Sequence, residues 1–187
     1  MARISELGRA DLAEGDRRLW DLFSWGPRDF SHQVSVLAHS PEAFRHLYGL
    51  IEDLRARGSL PQRLVEIAVV TTSRLNECPY CVGHHAPALV DLGVEKGAAA
   101  DVLAPEPEGF SDVEVLVRDY ARLLTERAWG IPEAVFDDLK RHFTDRQIVE
   151  LTVRIGVCSL FNKFNLALQI EPEAGIAEAP EAEGGDR

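Results

Sequence analysis

The sequence predicts an all-α fold, and three observations lead to that prediction. Apolar residues recur at helical spacing over most of the 187 residues, and helix start signals precede several of these stretches. No alternating run bounded by turn residues calls for a strand. Hydrophobic residues make up 45% of the chain, which suffices for the core of one globular domain with tails.

The N-terminal part, residues 1–39, is expected to be a helical extension. An amphipathic helix over residues 12–23 is stopped by Gly26 and Pro27. The segment 30–37 is ambiguous and is compatible with a short helix.

Residues 40–171 are predicted to form the main all-α domain. Ser40 suits the cap and Pro41 the first helical position, so a helix is expected from Pro41 to about Arg57. Gly58 is expected in the left-handed conformation that ends many helices. The helices expected after it cover residues 61–76, 79–92, 95–103, 111–127, 132–142 and 144–168.

Two capping boxes support the later helices, Ser111 with Glu114 and Thr144 with Gln147. From residue 172 the composition changes to Ala, Glu, Gly and Pro, which predicts a disordered acidic tail over 172–187.

A weak internal similarity raises the question of a duplication. A shift of 84 residues aligns, in order, Glu150, Asn162, Asn165 and Gln169 with Glu66, Cys78, Cys81 and His85. Only the glutamate and one valine are identical across the surrounding window, so duplication and chance both stay open.

Charge and cysteine usage limit the partners and the location. The chain has 20 Lys+Arg against 31 Asp+Glu, a net charge of -11 that repels phosphate backbones, so no nucleic-acid partner is expected. The N-terminus lacks the apolar run of a secretory signal, and no stretch approaches the ~18 apolar residues of a membrane span. Three cysteines suit a disulfide scaffold poorly. We therefore expect a cytoplasmic protein with no membrane partner.

The clearest functional signal is the run Cys78-Pro79-Tyr80-Cys81-Val82-Gly83-His84-His85. Pro79 predicts a helix start there, with Cys78 near the cap and Cys81 in the first turn, where unpaired N–H groups favour a thiolate. His85, four residues on, shares a helix face with Cys81 and can accept its proton. The pattern predicts a thiol redox centre with Cys81 ionised at rest and Cys78 close enough for a short disulfide.

Glu66 is the candidate group for orienting His85. It lies twelve residues before Cys78, which is ~18 Å along a continuous helix. The break at residues 76–79 must therefore fold the chain into a helix hairpin before Glu66 reaches His85. If it does, the carboxylate fixes the imidazole as the third group of a triad does.

Zinc binding is the main alternative at the cysteine pair. Cys78, Cys81 and His85 are three ligands, and His84 or Glu77 would complete four. Structural zinc sites usually have a second ligand pair, and no such pair is found. Cys158 has no partner cysteine in its segment and is interpreted as a small core residue. His84 is interpreted as a surface or interface group.

From Glu66 to His85 the sequence resembles the core of the carboxymuconolactone decarboxylase superfamily, most of all its alkylhydroperoxidase AhpD-like branch. The segment with Phe161, Asn162 and Asn165 resembles the C-terminal helical half, and the likeness covers roughly residues 40–170. It implies an AhpD-like all-α fold with a helix-hairpin core, assembled as a homo-oligomer (dimer, trimer or hexamer). It also implies thiol peroxidase activity without haem, flavin, metal or other cofactor.

By position, the resemblance assigns roles to the motif residues. Cys81 matches the cysteine that attacks the hydroperoxide substrate, and Cys78 matches its proton donor and resolving partner. Glu66 and His85 match members of the proton relay, and a dithiol reductant restores the thiols. Tyr80 stands where the best-known peroxidases carry histidine, and a phenol is a weak base at neutral pH, so a shorter relay or a lower activity is implied.

Two other functions stay open. One is cofactor-free lyase or isomerase chemistry on a lactone with Glu66 and His85 as acid and base, although the superfamily's decarboxylases lack the cysteine pair. The other is a non-enzymatic redox sensor or zinc clip in an oligomeric binding protein.

Overall fold

The computed structural model describes residues 2–24, 29–107 and 109–176, and over these ranges it confirms the all-α fold. Regular structure there consists of α-helices and two short 3₁₀ turns, without a strand. The helices are α1 (Glu14–Phe23), α2 (Ser31–Leu37), α3 (Pro41–Arg57), α4 (Gln62–Leu75), α5 (Pro79–Asp91), α6 (Lys96–Ala100), α7 (Asp112–Arg127), α8 (Glu133–His142) and α9 (Asp145–Leu168). Gly26, Pro27 and residues 177–187 of the expected tail lie outside the described residues.

Both capping boxes form. The Ser111 N–H donates to Glu114 Oε2 at 2.8 Å, and the Glu114 N–H donates to Ser111 Oγ at 3.4 Å. Thr144 and Gln147 repeat the pattern at 3.0 and 3.4 Å. Each box satisfies N–H groups that a helix start otherwise leaves open, which fixes where α7 and α9 begin.

The expectation for Gly58 is wrong. Its φ of -62° and ψ of 155° are extended, and its N–H donates to Leu54 O at 3.0 Å. The chain leaves α3 directly in the extended direction, so no left-handed residue is required there.

Among the described residues, 2–24, 29–58 and 165–176 form one compact unit. Tyr48 packs its ring against Phe23 and Phe44, with centroids 4.6 and 5.6 Å away. Its hydroxyl donates to Gln33 Oε1 at 2.7 Å, and Gln33 Nε2 donates to Asn165 Oδ1 at 2.9 Å. A buried polar chain therefore runs through this core. The predicted domain boundaries at residues 40 and 172 stay predictions.

Residues 59–107 and 109–164 form a second unit, which contains the cysteine motif. Its α4 is buried from Leu64 to Ser73 and packs against both α5 and α7. The core around it contains, among others, Ile67, Val70, Leu89, Val117, Tyr120, Leu139, Leu151 and Ile155. This central position makes α4 a rigid support for any side chain it carries.

The internal duplication stays a prediction. Where the shift of 84 residues would place a counterpart of the break between α4 and α5, α9 continues as an unbroken helix. Among the described helices, none is long and apolar enough to cross a membrane.

Candidate active site

The chain between α4 and α5 makes the hairpin that the sequence requires. Asn76 ends α4, Glu77 takes a left-handed φ of 52°, and the Cys78 N–H donates to Ser73 O at 3.0 Å. Pro79 is the first residue of α5. A non-glycine residue at positive φ is uncommon, so this turn is held by its surroundings. The reversal lays α5 back along α4.

Glu66 on α4 and His85 on α5 meet across this hairpin. The Glu66 side chain is 2% exposed, and its Oε2 lies 2.7 Å from His85 Nδ1. A carboxylate only accepts, so Nδ1 carries the proton and Nε2 of a neutral ring is left as the acceptor. Gln62 Nε2 donates to the other carboxylate oxygen at 2.7 Å. The carboxylate is thus held from two sides and fixes the imidazole.

The two cysteines occupy the expected places at the start of α5. Cys78 is the N-cap residue and Cys81 lies in the first turn, and both are buried, 1% and 5% exposed. Neither is joined in a disulfide.

The expectation that Cys81 is ionised at rest is wrong for this geometry. Its pKa is raised well above the ordinary value, chiefly by its hydrogen bond with Cys78, and then by burial and by the charges of Cys78 and Cys158. A hydrogen bond from Asn162 acts in the opposite direction. The neutral thiol is therefore favoured, and ionisation of Cys81 needs a base.

A cluster on α9, with Cys158 and Asn162, forms part of this site and was not assigned a role from the sequence. Cys158 Sγ lies 3.3 Å from Ser73 Oγ and packs with Val65 and Val69, which confirms it as a core residue. Burial raises its pKa to about 12. Asn162 is 0% exposed and its Nδ2 donates to Ser73 Oγ at 3.2 Å. The spacing of the cysteine motif does not indicate that these two residues belong to the site. The one sequence feature that pointed to this region was the resemblance of residues 161–165 to the superfamily's C-terminal half.

Tyr80 and His84 are both buried and lie against each other. Their rings stack with centroids 4.4 Å apart, and His84 Nδ1 lies 2.7 Å from the Tyr80 carbonyl oxygen. The expectation that His84 is a surface or interface group is wrong, since it is 4% exposed in the single chain. The carbonyl partner means that Nδ1 carries the proton, so this nitrogen has no lone pair for a metal.

The zinc alternative gains no support from the described part of the chain. Over residues 2–24, 29–107 and 109–176, no group of three or more His, Cys, Asp and Glu side chains is arranged to hold a metal ion. In both His84 and His85, the Nδ1–H group donates a hydrogen bond to an oxygen of the protein.

Residues 41–106 match the model of the carboxymuconolactone decarboxylase family. Over these residues the chain is similar to that family. The matched range contains the hairpin, the cysteine pair and the Glu66–His85 pair. In Escherichia coli (strain K12), the uncharacterized protein YnjA is 35% identical over 72 residues, 38% of this chain and 39% of that protein. The match therefore spans about two fifths of the curated relative's length.

The fold matches solved structures over nearly the whole chain. The alkylhydroperoxidase AhpD core structure of an uncharacterized peroxidase-related protein from Ralstonia eutropha JMP134 overlaps with a TM-score of 0.80 at 24% identity, covering 94% of each chain. A complex of a cysteine-to-alanine variant of the debrominase Bmp8 with 2,3,4-tribromopyrrole overlaps with a TM-score of 0.74 at 17% identity, covering 91% of each chain. The fold is thus AhpD-like.

Proposed function

We propose that this protein is a thiol-dependent peroxidase that reduces hydroperoxides through a dithiol–disulfide cycle of Cys81 and Cys78. One observation carries the proposal: the cysteine pair starts the same short helix as His85, whose Nδ1 is held 2.7 Å from the buried Glu66. This arrangement supplies a nucleophile, a second thiol and an oriented base, the parts that nucleophilic catalysis requires.

Oxidation of Cys81 is the first half of the proposed cycle. Its thiolate attacks the outer oxygen of the hydroperoxide, the S–O bond forms and the O–O bond breaks. The alkoxide takes up a proton and leaves as an alcohol. The sulfur, now a sulfenic acid, has lost two electrons and the hydroperoxide has gained them.

Disulfide formation and reduction complete the cycle. The sulfur of Cys78 attacks the sulfenic sulfur, an S–S bond forms, and the departing hydroxide takes the thiol proton and leaves as water. An external dithiol then supplies two electrons and two protons to the disulfide and becomes a disulfide itself. This reductant, a small molecule or a protein, is part of the proposal, and no further cofactor is needed.

His85 handles the proton in this scheme. The raised pKa of Cys81 means that the thiolate is not preformed, so a base has to act during the reaction. With Nδ1–H held by Glu66, Nε2 takes the proton of Cys81 and returns it to the alkoxide. Tyr80, in the first turn of α5, is proposed as an auxiliary member of this relay.

Hydroperoxide consumption with dithiothreitol as the donor tests the proposal. We expect Cys81→Ser to abolish turnover, and Cys78→Ser to allow Cys81 oxidation once but to stop cycling. His85→Asn should lower the rate strongly, while His46→Asn, at an exposed position on α3, should not. Turnover that survives both cysteine replacements would refute the peroxidase, and lactone conversion by the double variant would favour the lyase.

A second candidate function is thiol-dependent debromination. The favouring observation is the overlap with Bmp8, whose cysteine-to-alanine variant binds a brominated pyrrole. Replacing C–Br by C–H needs two electrons and a proton and releases bromide, and the Cys78–Cys81 dithiol can supply both electrons as it becomes a disulfide. Bromide release from 2,3,4-tribromopyrrole, compared with hydroperoxide consumption under the same conditions, separates the two functions.

We also propose a cytoplasmic homo-oligomer. A reducing compartment maintains the dithiol pool that the cycle uses, and the net charge of -11 opposes binding to nucleic acid. Exposed apolar side chains of the second unit support self-association: Trp129 is 92% exposed, Val149 62% and Leu160 42%. Light scattering after size exclusion tests this, and a monomer at micromolar concentration would contradict it.

A further inference from the structure

The Asn162 amide lies at the centre of a buried hydrogen-bond network within the second unit. Its Oδ1 accepts from Asn76 Nδ2 at 2.9 Å, and Cys158 Sγ lies 3.7 Å from the same oxygen. Its Nδ2 donates to Ser73 Oγ at 3.2 Å. These contacts join α9 to the C-terminal end of α4 and to the turn before α5.

With Asn76 in its observed orientation, the network favours one orientation of the Asn162 amide. If the Asn162 amide were rotated by half a turn, its NH₂ group would face the NH₂ group of Asn76, and two donors cannot pair. The Cys158 thiol adds a second donor on the oxygen side. The NH₂ group is therefore kept on the side of Ser73. A hydrogen bond with the Asn162 side chain lowers the pKa of Cys81, which is the effect of a donor, and the NH₂ group is the only donor of this side chain.

We propose that Asn162 is a positioning residue that gives an N–H donor to the Cys81 sulfur, held in the donating orientation by Asn76. The inference deepens the proposed thiol chemistry and rests on it for its effect on turnover. An amide nitrogen has two hydrogens, and Ser73 uses one of them. The other stabilises negative charge on Cys81 when the thiolate forms, because hydrogen bonds to an ionised sulfur are stronger than those to a neutral one.

The surroundings of Cys81 explain why such a donor matters. The titratable groups of the site include Cys78 at the N-cap of α5, Tyr80, His84 and His85 on α5, Glu66 on α4 and Cys158 on α9. The two other cysteines and burial raise the pKa of Cys81, and the Asn162 hydrogen bond lowers it. The amide is thus a neutral group that favours the anion without adding a charge of its own.

Site-resolved alkylation tests the inference without any reference to peroxidase turnover. The rate at which iodoacetamide labels Cys81, followed by mass spectrometry of its peptide, is measured against pH in the full-length protein. For Asn162→Asp, which keeps the shape but has no N–H, we expect the midpoint to rise by about one pH unit or more. The labelling rate at pH 7 should then fall about tenfold or more.

Two further variants separate donation from charge and from fold. Asn165→Asp places the same change on the same helix, at a buried amide that accepts from Gln33, and should leave the Cys81 midpoint unchanged. Asn76→Ala adds no charge and removes the donor that fixes the Asn162 amide, so it should move the midpoint in the same direction by a smaller amount. Asn76 is only partly buried, so Asn76→Ala is expected to fold. It therefore tests the positioning role even if Asn162→Asp does not fold.

The outcomes are distinct. A midpoint raised in Asn162→Asp and Asn76→Ala but not in Asn165→Asp supports the positioning role, even if the protein consumes no hydroperoxide. Unchanged midpoints in both folded variants, or equal shifts at positions 162 and 165, overturn it even if hydroperoxide turnover is high.

Discussion

Replacing Glu66 by Gln removes one negative charge from the site and keeps the shape of the side chain. In the native protein the carboxylate accepts from His85 Nδ1 and from Gln62 Nε2, both at 2.7 Å. Gln62 can rotate its amide to pair with the new NH₂ group, so the fold should survive. The charge that holds the Nδ1–H tautomer is lost.

The expected loss of rate follows from that charge. A hydrogen bond to a charged group contributes about 1.5–3 kcal/mol, and ~1.4 kcal/mol corresponds to a factor of ten in rate. Glu66→Gln should therefore slow the first oxidation of Cys81 by roughly 10- to 150-fold. The assay is stopped-flow measurement of disulfide formation after mixing with excess hydroperoxide at pH 7.

Glu150→Gln is the matched control for Glu66→Gln. Glu150 is also a buried carboxylate, but it accepts from the Ser59 N–H and hydroxyl at 2.7 and 2.9 Å, at the start of the chain leading into α4. It should lower stability and leave the rate within about twofold, since it holds no group of the proton relay. Equal rates for wild-type protein and folded Glu66→Gln would refute the role of the Glu66–His85 pair.

Three further predictions concern pH and stability. The Cys158 pKa of about 12, raised above the ordinary value of 9.0, means that the native thiol stays neutral while the unfolded thiol ionises. Its stabilising contribution is therefore complete below pH 9 and decreases by about 1 kcal/mol per pH unit from there to pH 12. Urea unfolding of Cys158→Ala should show a shallower alkaline slope, and parallel slopes would contradict the assignment. Since the pKa of Cys81 is raised as well, its alkylation rate should keep rising with pH beyond neutrality, whereas a plateau below pH 7 would show an ionised thiol at rest. Ser111→Ala should reduce the free energy of unfolding by about 1 kcal/mol by removing a cap on α7, and an unchanged urea midpoint would count against that capping box.

The hairpin and the Glu66–His85 pair could be predicted from the sequence because both depend on local signals. The residues at 76–79 break the helix, and the spacing on either side places the acid opposite the imidazole once the chain reverses. Capping boxes likewise predicted where α7 and α9 begin. Short-range rules of this kind need no knowledge of what packs against the helix.

The ionisation of Cys81 could not be predicted in the same way. The position in the first turn of a helix favours a thiolate, but the sulfur is buried and Cys158 of α9 lies close enough to raise its pKa. Asn162 and its partner Asn76 are 86 residues apart in the chain, so no local spacing brings them together. The error for His84 has the same origin, because its burial depends on tertiary packing and the motif alone does not specify it.

The most direct test of the dithiol cycle is the mass of the protein after one equivalent of hydroperoxide, without added reductant. We expect the loss of two hydrogen masses, with the peptides of Cys78 and Cys81 linked and Cys158 still a free thiol. A mass that is unchanged, or an added oxygen on Cys81 that Cys78 never resolves to a disulfide, would contradict it.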